Sequence, residues 1–229
     1  MKNLLSLLVL ASLITSCSTY NGPIFKASNY VSTNVGSTYH YKRVDLKTKK
    51  KIFLDITIES CNSDKTKCLY TTKIFNSQDK MIGKYNMYYT INDDSFFTKG
   101  SIRVTDNFYK DSSILLPEKL RLNREVDMQH PERYGDVREK LIVHKEIPSF
   151  EINNHKYENC LNIIFETITP LGERKLKIVT DETDCKNIGT VKKEMAIYSL
   201  IPVSNPNYDN YVLKATYIDT LQNISHKNN

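Results

Sequence analysis

Apolar and polar residues alternate along most of this chain. Ile52, Leu54, Ile56 and Ile58 alternate with Phe53, Asp55, Thr57 and Glu59, a period-two strand with one apolar face. Tyr39, Tyr41 and Arg43 alternate in the same way with His40, Lys42 and Val44, and the basic stretch Lys47 to Lys51 reads as the turn between the two runs. Further strand-like runs are Leu69 to Phe75, Met81 to Ile91, Phe96-Phe97, Ser101–Val104 and Ile114–Leu116, the last stopped by Pro117. Residues 118–140 are the most charged stretch and contain Pro131; they read as a short helix or an extended solvated loop. Strand signals resume at Leu141–Val143, Tyr157–Thr169, Arg174–Thr180, Thr190–Ile197 and Tyr211–Ile218. Asn, Asp, Gly and Pro separate these runs, and the spacing predicts one mainly β domain of about ten antiparallel strands. No repeat, domain linker or long amphipathic helix interrupts the pattern.

The first residues follow a different rule. Lys2 precedes an apolar stretch, Leu4 to Ile14, which as a helix would span roughly 16 Å, about half of a bilayer core. That is a secretory h-region rather than a transmembrane helix. Ile14-Thr15-Ser16-Cys17 resembles the bacterial lipobox. The resemblance implies that the Cys17 thiol receives a diacylglyceryl group, that cleavage precedes it, and that the new amine is acylated, for example by palmitate. Each buried CH₂ adds about 0.8 kcal/mol, so two or three chains anchor firmly. Residues 1–16 are then a lipoprotein signal peptide and 17–33, poor in apolar groups, a lipidated flexible tether. Residues 34–222 form the β-rich domain and 223–229 a disordered tail. Ser18, rather than Asp, after the cysteine implies the outer membrane, facing the periplasm, in a Gram-negative envelope.

Composition narrows the class. With 229 residues, 40% hydrophobic and 25% charged, the chain is neither a disordered tail nor a multi-span membrane protein. Its 15 Tyr, 8 Phe and no Trp favour half-buried surfaces, because tyrosine is apolar along its ring and polar at its tip. Of five cysteines, four remain after Cys17, and an even number in an exported chain implies disulfides. Cys61 and Cys68 bracket a polar loop and fit a hairpin neck. Cys160 and Cys185 flank a second hairpin. Pairing about Leu171-Gly172 sets Phe165 opposite Ile178 and Cys160 opposite Thr183, so a Cys160–Cys185 bridge needs a bulge or a shifted end.

Candidate chemistry is sparse. Ser77-Gln78-Asp79-Lys80 matches Ser-x-x-Lys but lies in a polar turn without the partner motifs of penicillin-recognising enzymes. Asp93-Asp94 and Asp181, Glu182 and Asp184 lack a calcium-loop pattern and read as hairpin ends. His144 and His155 face each other if a turn forms at Pro148, too few ligands for a metal. The net charge is +6, and Lys42, Arg43, Lys47, Lys49, Lys50 and Lys51 concentrate basic charge that can meet anionic lipid or lipopolysaccharide phosphates. The expectation is no catalytic residue, no metal, no cofactor and no nucleic acid.

Four motifs resemble those of bacterial exported lipoproteins of unknown role: Gly36-Ser37-Thr38-Tyr39-His40-Tyr41, Leu116-Pro117-Glu118-Lys119-Leu120, Tyr157-Glu158-Asn159-Cys160-Leu161 and Gly189-Thr190-Val191-Lys192. Tyr39 stands where that family usually has Trp. The layout is similar to the curved antiparallel sheet of lipoprotein carriers of the LolA/LolB type, which implies a curved sheet or half-barrel with few short helices. The resulting expectation is a membrane-anchored binding or scaffolding module of the envelope, with an envelope protein or lipid as partner. A carrier or receptor for lipid or another apolar ligand in the concave face is the alternative.

Overall fold

The computed structural model describes residues 22–91, 96–103, 108–117, 119–128, 138–171, 174–201 and 210–227. In chain order they form β1 (Ile24–Lys26), a 3-10 turn (Ala27–Tyr30), β2 (Ser37–Asp45), β3 (Lys51–Cys61), β4 (Lys67–Phe75), β5 (Met81–Ile91), β6 (Phe96–Arg103) and β7 (Phe108–Leu116). There follow β8 (Lys119–Arg121), β9 (Glu125–Met128), β10 (Arg138–Ile152), β11 (His155–Leu171), β12 (Arg174–Cys185), β13 (Gly189–Ile201) and β14 (Asn210–His226). Twelve strands make one curved antiparallel sheet in the order β7-β6-β5-β4-β3-β2-β14-β13-β12-β11-β10-β9, which does not close into a barrel. β1 and β8 pair separately.

The architecture is the mainly β, curved, antiparallel one that the sequence predicts, with the strands longer and more numerous than the apolar runs. Phe96-Phe97 and Ser101 belong to one strand. Leu141–Val143 is a fragment of a strand running through Pro148 to Ile152. Proline is tolerated there because β9 covers β10 only at Glu139–Ile142, which leaves the far part of β10 as an edge. Residues 118–140 hold β8 and β9 rather than a helix within their described part; Pro131 lies outside it.

Both proposed domain boundaries move outward. The signal peptide and Cys17 lie outside the described residues, but the expected tether to residue 33 is folded from Ile24 onward. Ala27, Tyr30 and Ser32 are buried. The Tyr39 hydroxyl donates to Ser32 Oγ, and the Tyr70 hydroxyl donates to the Ser32 carbonyl. At the other terminus β14 reaches His226, pairing Asn223 with His40 and Ser225 with Thr38. Backbone pairing depends little on side-chain hydropathy, so a polar sequence does not announce it.

The register gives the sheet an inner face. Tyr39, Ile58, Tyr70, Leu141, Val143, Leu161, Ile163, Val191 and Leu221 come from seven strands, yet all join one buried cluster with Ala27, Tyr30 and Leu120. Only a concave face lets strands so far apart meet one plug. Successive antiparallel turns alternate between two ends. The plug, the Cys61–Cys68 and Cys160–Cys185 bridges and the Asn153-Asn154 turn share one end. The turns at 46–50 and 76–80 lie at the other. The long β10–β11 hairpin also curls back at the plugged end, where Asn153 Nδ2 donates to the Leu221 carbonyl at 2.7 Å, beside the bulge after Leu221 that interrupts β14's pairing.

Candidate functional site on the inner face

Four adjacent strands place four charged residues in one cross-strand row. Arg43 of β2 lies opposite Asp219 of β14, Asp219 opposite Lys193 of β13, and Lys193 opposite Glu182 of β12. The signs alternate across the row. Arg43 forks onto Asp219 through Nε and Nη2, both at 2.6 Å, and Lys193 Nζ lies 2.5 Å from Glu182 Oε1. Flanking residues in register are Ile52 and Ile163, so the row sits within an apolar wall. The carboxylates are the more buried partners: Asp219 and Glu182 side chains are each 11% exposed, against 27% for Arg43 and 33% for Lys193.

One step nearer the plug lies Asp184. It is buried, and its Oδ1 has no hydrogen-bond partner among the described residues. Burial pushes its carboxyl up to about 8, the negative charge of Glu182 adding to the effect. Both effects favour its neutral form. Tyr41, on the same face as Arg43, donates its hydroxyl to the Thr190 carbonyl at 2.6 Å, and burial followed by the Asp184 charge raises its ionisation well above the usual tyrosine range. The Asp219 hydrogen bonds hold Arg43 protonated more firmly than usual, with Tyr85 and Tyr217 adding to it. The Arg43 guanidinium also stands 5.9 Å from the Tyr217 ring centre. Tyr89 of β5, although six strand steps from β12, senses the charge of Glu182.

Beyond the row, toward the end opposite the disulfides, the same face carries Met195, Ile197, Ile178 and Tyr217, all half-buried. The interior therefore changes from apolar plug to charged row to partly open apolar wall.

The residues singled out from sequence are distributed as follows. Cys61 and Cys68 are bonded at the neck of β3–β4, with S–S 2.01 Å, and Cys160 and Cys185 with S–S 1.97 Å. The second hairpin needs no bulge. Leu171 pairs with Arg174, so the pivot lies one residue beyond Leu171-Gly172 and every partner shifts by two: Phe165 faces Thr180 rather than Ile178, and Cys160 directly faces Cys185. A shift of two preserves the faces, which is why the alternation could not reveal it. Lys47, Lys49, Lys50 and Lys51 are exposed on the β2–β3 turn and Lys42 is on the outer face, whereas Arg43 is turned inward onto Asp219. Ser77 to Lys80 form an exposed turn held by Asn76 Oδ1, which accepts from the Gln78 and Lys80 amides. His144 and His155 do not meet: the turn is Asn153-Asn154, and His155 faces Ile152. Asp181 points outward, accepting from Asn162, while Glu182 and Asp184 point inward. Asp93 and Asp94 lie outside the described residues. Among the described residues no group of three His, Cys, Asp or Glu is placed to hold a metal ion.

The charged row is the feature sequence reading missed. Its signal is a charge at an inward register position: Arg43 follows Tyr39 and Tyr41 at intervals of two, Lys193 stands between Val191 and Met195, and Asp219 between Tyr217 and Leu221.

No protein-family model matches the chain, and no curated protein matches it in sequence. Two solved structures share its fold. One is a provisionally classed lipoprotein of Parabacteroides distasonis, 12% identical, with a TM-score of 0.50 over 86% of this chain and 98% of that one. The other is a provisionally classed exported protein with a YmcC-like fold from Bacteroides fragilis, 11% identical, with a TM-score of 0.51 over 85% of this chain and 97% of that one. At such identity the likeness is one of fold.

Proposed function

We propose that this protein is a lipid-anchored lipoprotein of the bacterial envelope that acts as a binding module, taking its ligand on the inner face of the curved sheet. The observation that carries the binding role is the alternating row Arg43, Asp219, Lys193, Glu182 with Asp184 beneath it. Buried ion pairs seldom stabilise more than apolar residues of similar volume. A sheet that needed only a core would therefore have little cause to keep four charges and a buried carboxyl with one oxygen unpaired among tyrosines. The row offers donors and acceptors at fixed places to a polar group bound on this face. The lipobox-like Ile14–Cys17 and the fold shared with a provisionally classed lipoprotein and a provisionally classed exported protein support the anchor and compartment. A second reading, a carrier for an apolar or amphiphilic ligand, draws support from the half-buried Met195, Ile197 and Ile178 beyond the row.

Two measurements test this. Metabolic labelling with a clickable fatty acid should mark the wild type and not Cys17→Ser; equal labelling would refute the anchor. Native mass spectrometry of protein taken from its own envelope should find a bound molecule that is lost in the charge-neutral double variant Arg43→Met, Asp219→Leu. A folded double variant that retains the same molecule would refute the site. A fatty-acyl mass in the wild type would favour the carrier.

A further inference from the structure

On the outer face, three adjacent strands bring a serine, a histidine and a carboxylate into one hydrogen-bonded chain. His40 of β2 stands directly opposite Asp55 of β3, and its Nδ1 lies 2.7 Å from Asp55 Oδ1. In register its partner on β14 is Asn223, yet the ring reaches the diagonal neighbour, and Nε2 lies 2.8 Å from Ser225 Oγ. A carboxylate only accepts hydrogen bonds, so in the neutral imidazole the hydrogen sits on Nδ1 and donates to Asp55. Nε2 then carries the lone pair, and the Ser225 hydroxyl donates to it. This is the order of groups that activates a serine: nucleophile, base, and a group that orients the base. Residues 40, 55 and 225 share no local motif; only the strand order β14-β2-β3 joins them.

Stability does not account for the arrangement. The His40 and Asp55 side chains are 32% and 30% exposed, and a surface pair of that kind contributes about 0–1 kcal/mol. Ser225 is exposed, so an electrophile can reach its oxygen. A second serine–histidine contact, Ser37 Oγ to His226 Nδ1 at 2.9 Å, differs in that its serine is fully buried. The backbone beside Ser225 adds a further element. β13 pairs with β14 only as far as Thr220, so among the described residues 221–226 have β2 on one side and no strand on the other. The Lys227 amide donates to the Gly36 carbonyl, toward β2. By antiparallel alternation the Ser225 amide also points to β2, and those of Ile224 and His226 point to the uncovered side. These two N–H groups flank the serine and suit the charge that develops on an attacked carbonyl oxygen.

We propose that Ser225 is a nucleophile, activated by His40 and Asp55, that attacks carboxylic esters presented to the outer face. Its proton passes to His40 Nε2 as the bond from Oγ to the carbonyl carbon forms. The ester C–O bond then breaks, and the departing alcohol takes that proton. Water next gives a proton to His40 and its oxygen to the acyl carbon; Ser225 recovers its proton from His40, and the carboxylic acid leaves. The site is separate from the inner-face row and stands whether or not that row binds a ligand.

The test uses the chain from Ser18, unlipidated and with both disulfides formed. It is treated with a fluorophosphonate, whose P–F bond breaks as an activated serine forms its Oγ–P bond. Peptide mapping should place one label on Ser225 and none on Ser37, and p-nitrophenyl acetate should leave an acetyl group on the same residue. Ser225→Ala should abolish labelling. His40→Gln should slow it roughly a hundredfold, and Asp55→Asn roughly tenfold or more. Wild type unfolded in denaturant should not react, because the three groups meet only in the sheet. Circular dichroism and intact disulfides establish that each variant is folded. No label on folded wild type, label that persists in Ser225→Ala, or an unchanged rate in folded His40→Gln would each overturn the proposal.

Discussion

Single residues carry two separable kinds of energy here. Asn153 supplies both a left-handed backbone, with φ 51°, and a side-chain donor to the Leu221 carbonyl. Glycine keeps the first and removes the second, so Asn153→Gly should cost about 1–2 kcal/mol in denaturant unfolding, and Asn153→Ala more. In the charged row, Asp219→Asn leaves Arg43 without its anionic partner and should cost about 3 kcal/mol or more, whereas Arg43→Met with Asp219→Leu should return most of it. Unfolding of the two variants and the wild type at one pH measures this. Asp184 adds a pH dependence whose sign is fixed by its raised ionisation. The folded state holds its proton up to about pH 8, while the unfolded chain releases it near the ordinary value of 3.8. Between those values the folded state binds more protons, so this group's contribution falls as pH rises. Asp184→Asn should flatten the stability profile between pH 5 and 9, and an unchanged slope would refute the assignment.

At the scale of elements, period-two alternation made β2 and β3 legible residue by residue, and Ile52 to Ile58 do share the inner face. The same signal was blind to two things. It could not fix register in β11–β12, because a slip of two leaves every face unchanged. It could not show β8, β9 or the end of β14, which are short or polar and are held by pairing and by what packs over them. The charged row lay in plain sight as charges at inward positions, but only the strand order β2-β14-β13-β12 makes them neighbours, and that order joins residues far apart in sequence. The cysteines were the clearest long-range signal. Their two bridges differ in span, closing separations of 7 and 25 residues. Loop-closure entropy grows with the logarithm of length, so loss of Cys160–Cys185 should cost roughly 1 kcal/mol more than loss of Cys61–Cys68. Paired Cys→Ala variants unfolded in urea should reproduce that order.

Among its described residues the molecule is an open sheet with one end stopped. An open sheet of this size cannot bury its concave face by itself, and here residues 24–36 supply the stopper. They cross from the β12–β13 turn, where the Asn29 carbonyl accepts from the Asn187 amide, to β3, where the Gly36 amide donates to the Ile58 carbonyl. Tyr30 packs edge-on against Phe25 and is 7% exposed, and burial raises its hydroxyl to about 12. The stopper belongs to the same core cluster as both disulfides, so its opening should require disruption of the core rather than local fraying. Native-state hydrogen exchange should accordingly find the amides of Ala27 to Gly36 protected to nearly the same free energy as those of Leu161 and Ile163. Tyr30→Ala, which removes a buried ring from the junction of three elements, should destabilise the whole domain by about 3–5 kcal/mol and lower that protection everywhere together. Rapid exchange through Ala27–Gly36 in the wild type, with the rest of the sheet protected, would mean that this segment is a tether after all and that the concave face is stopped by something else.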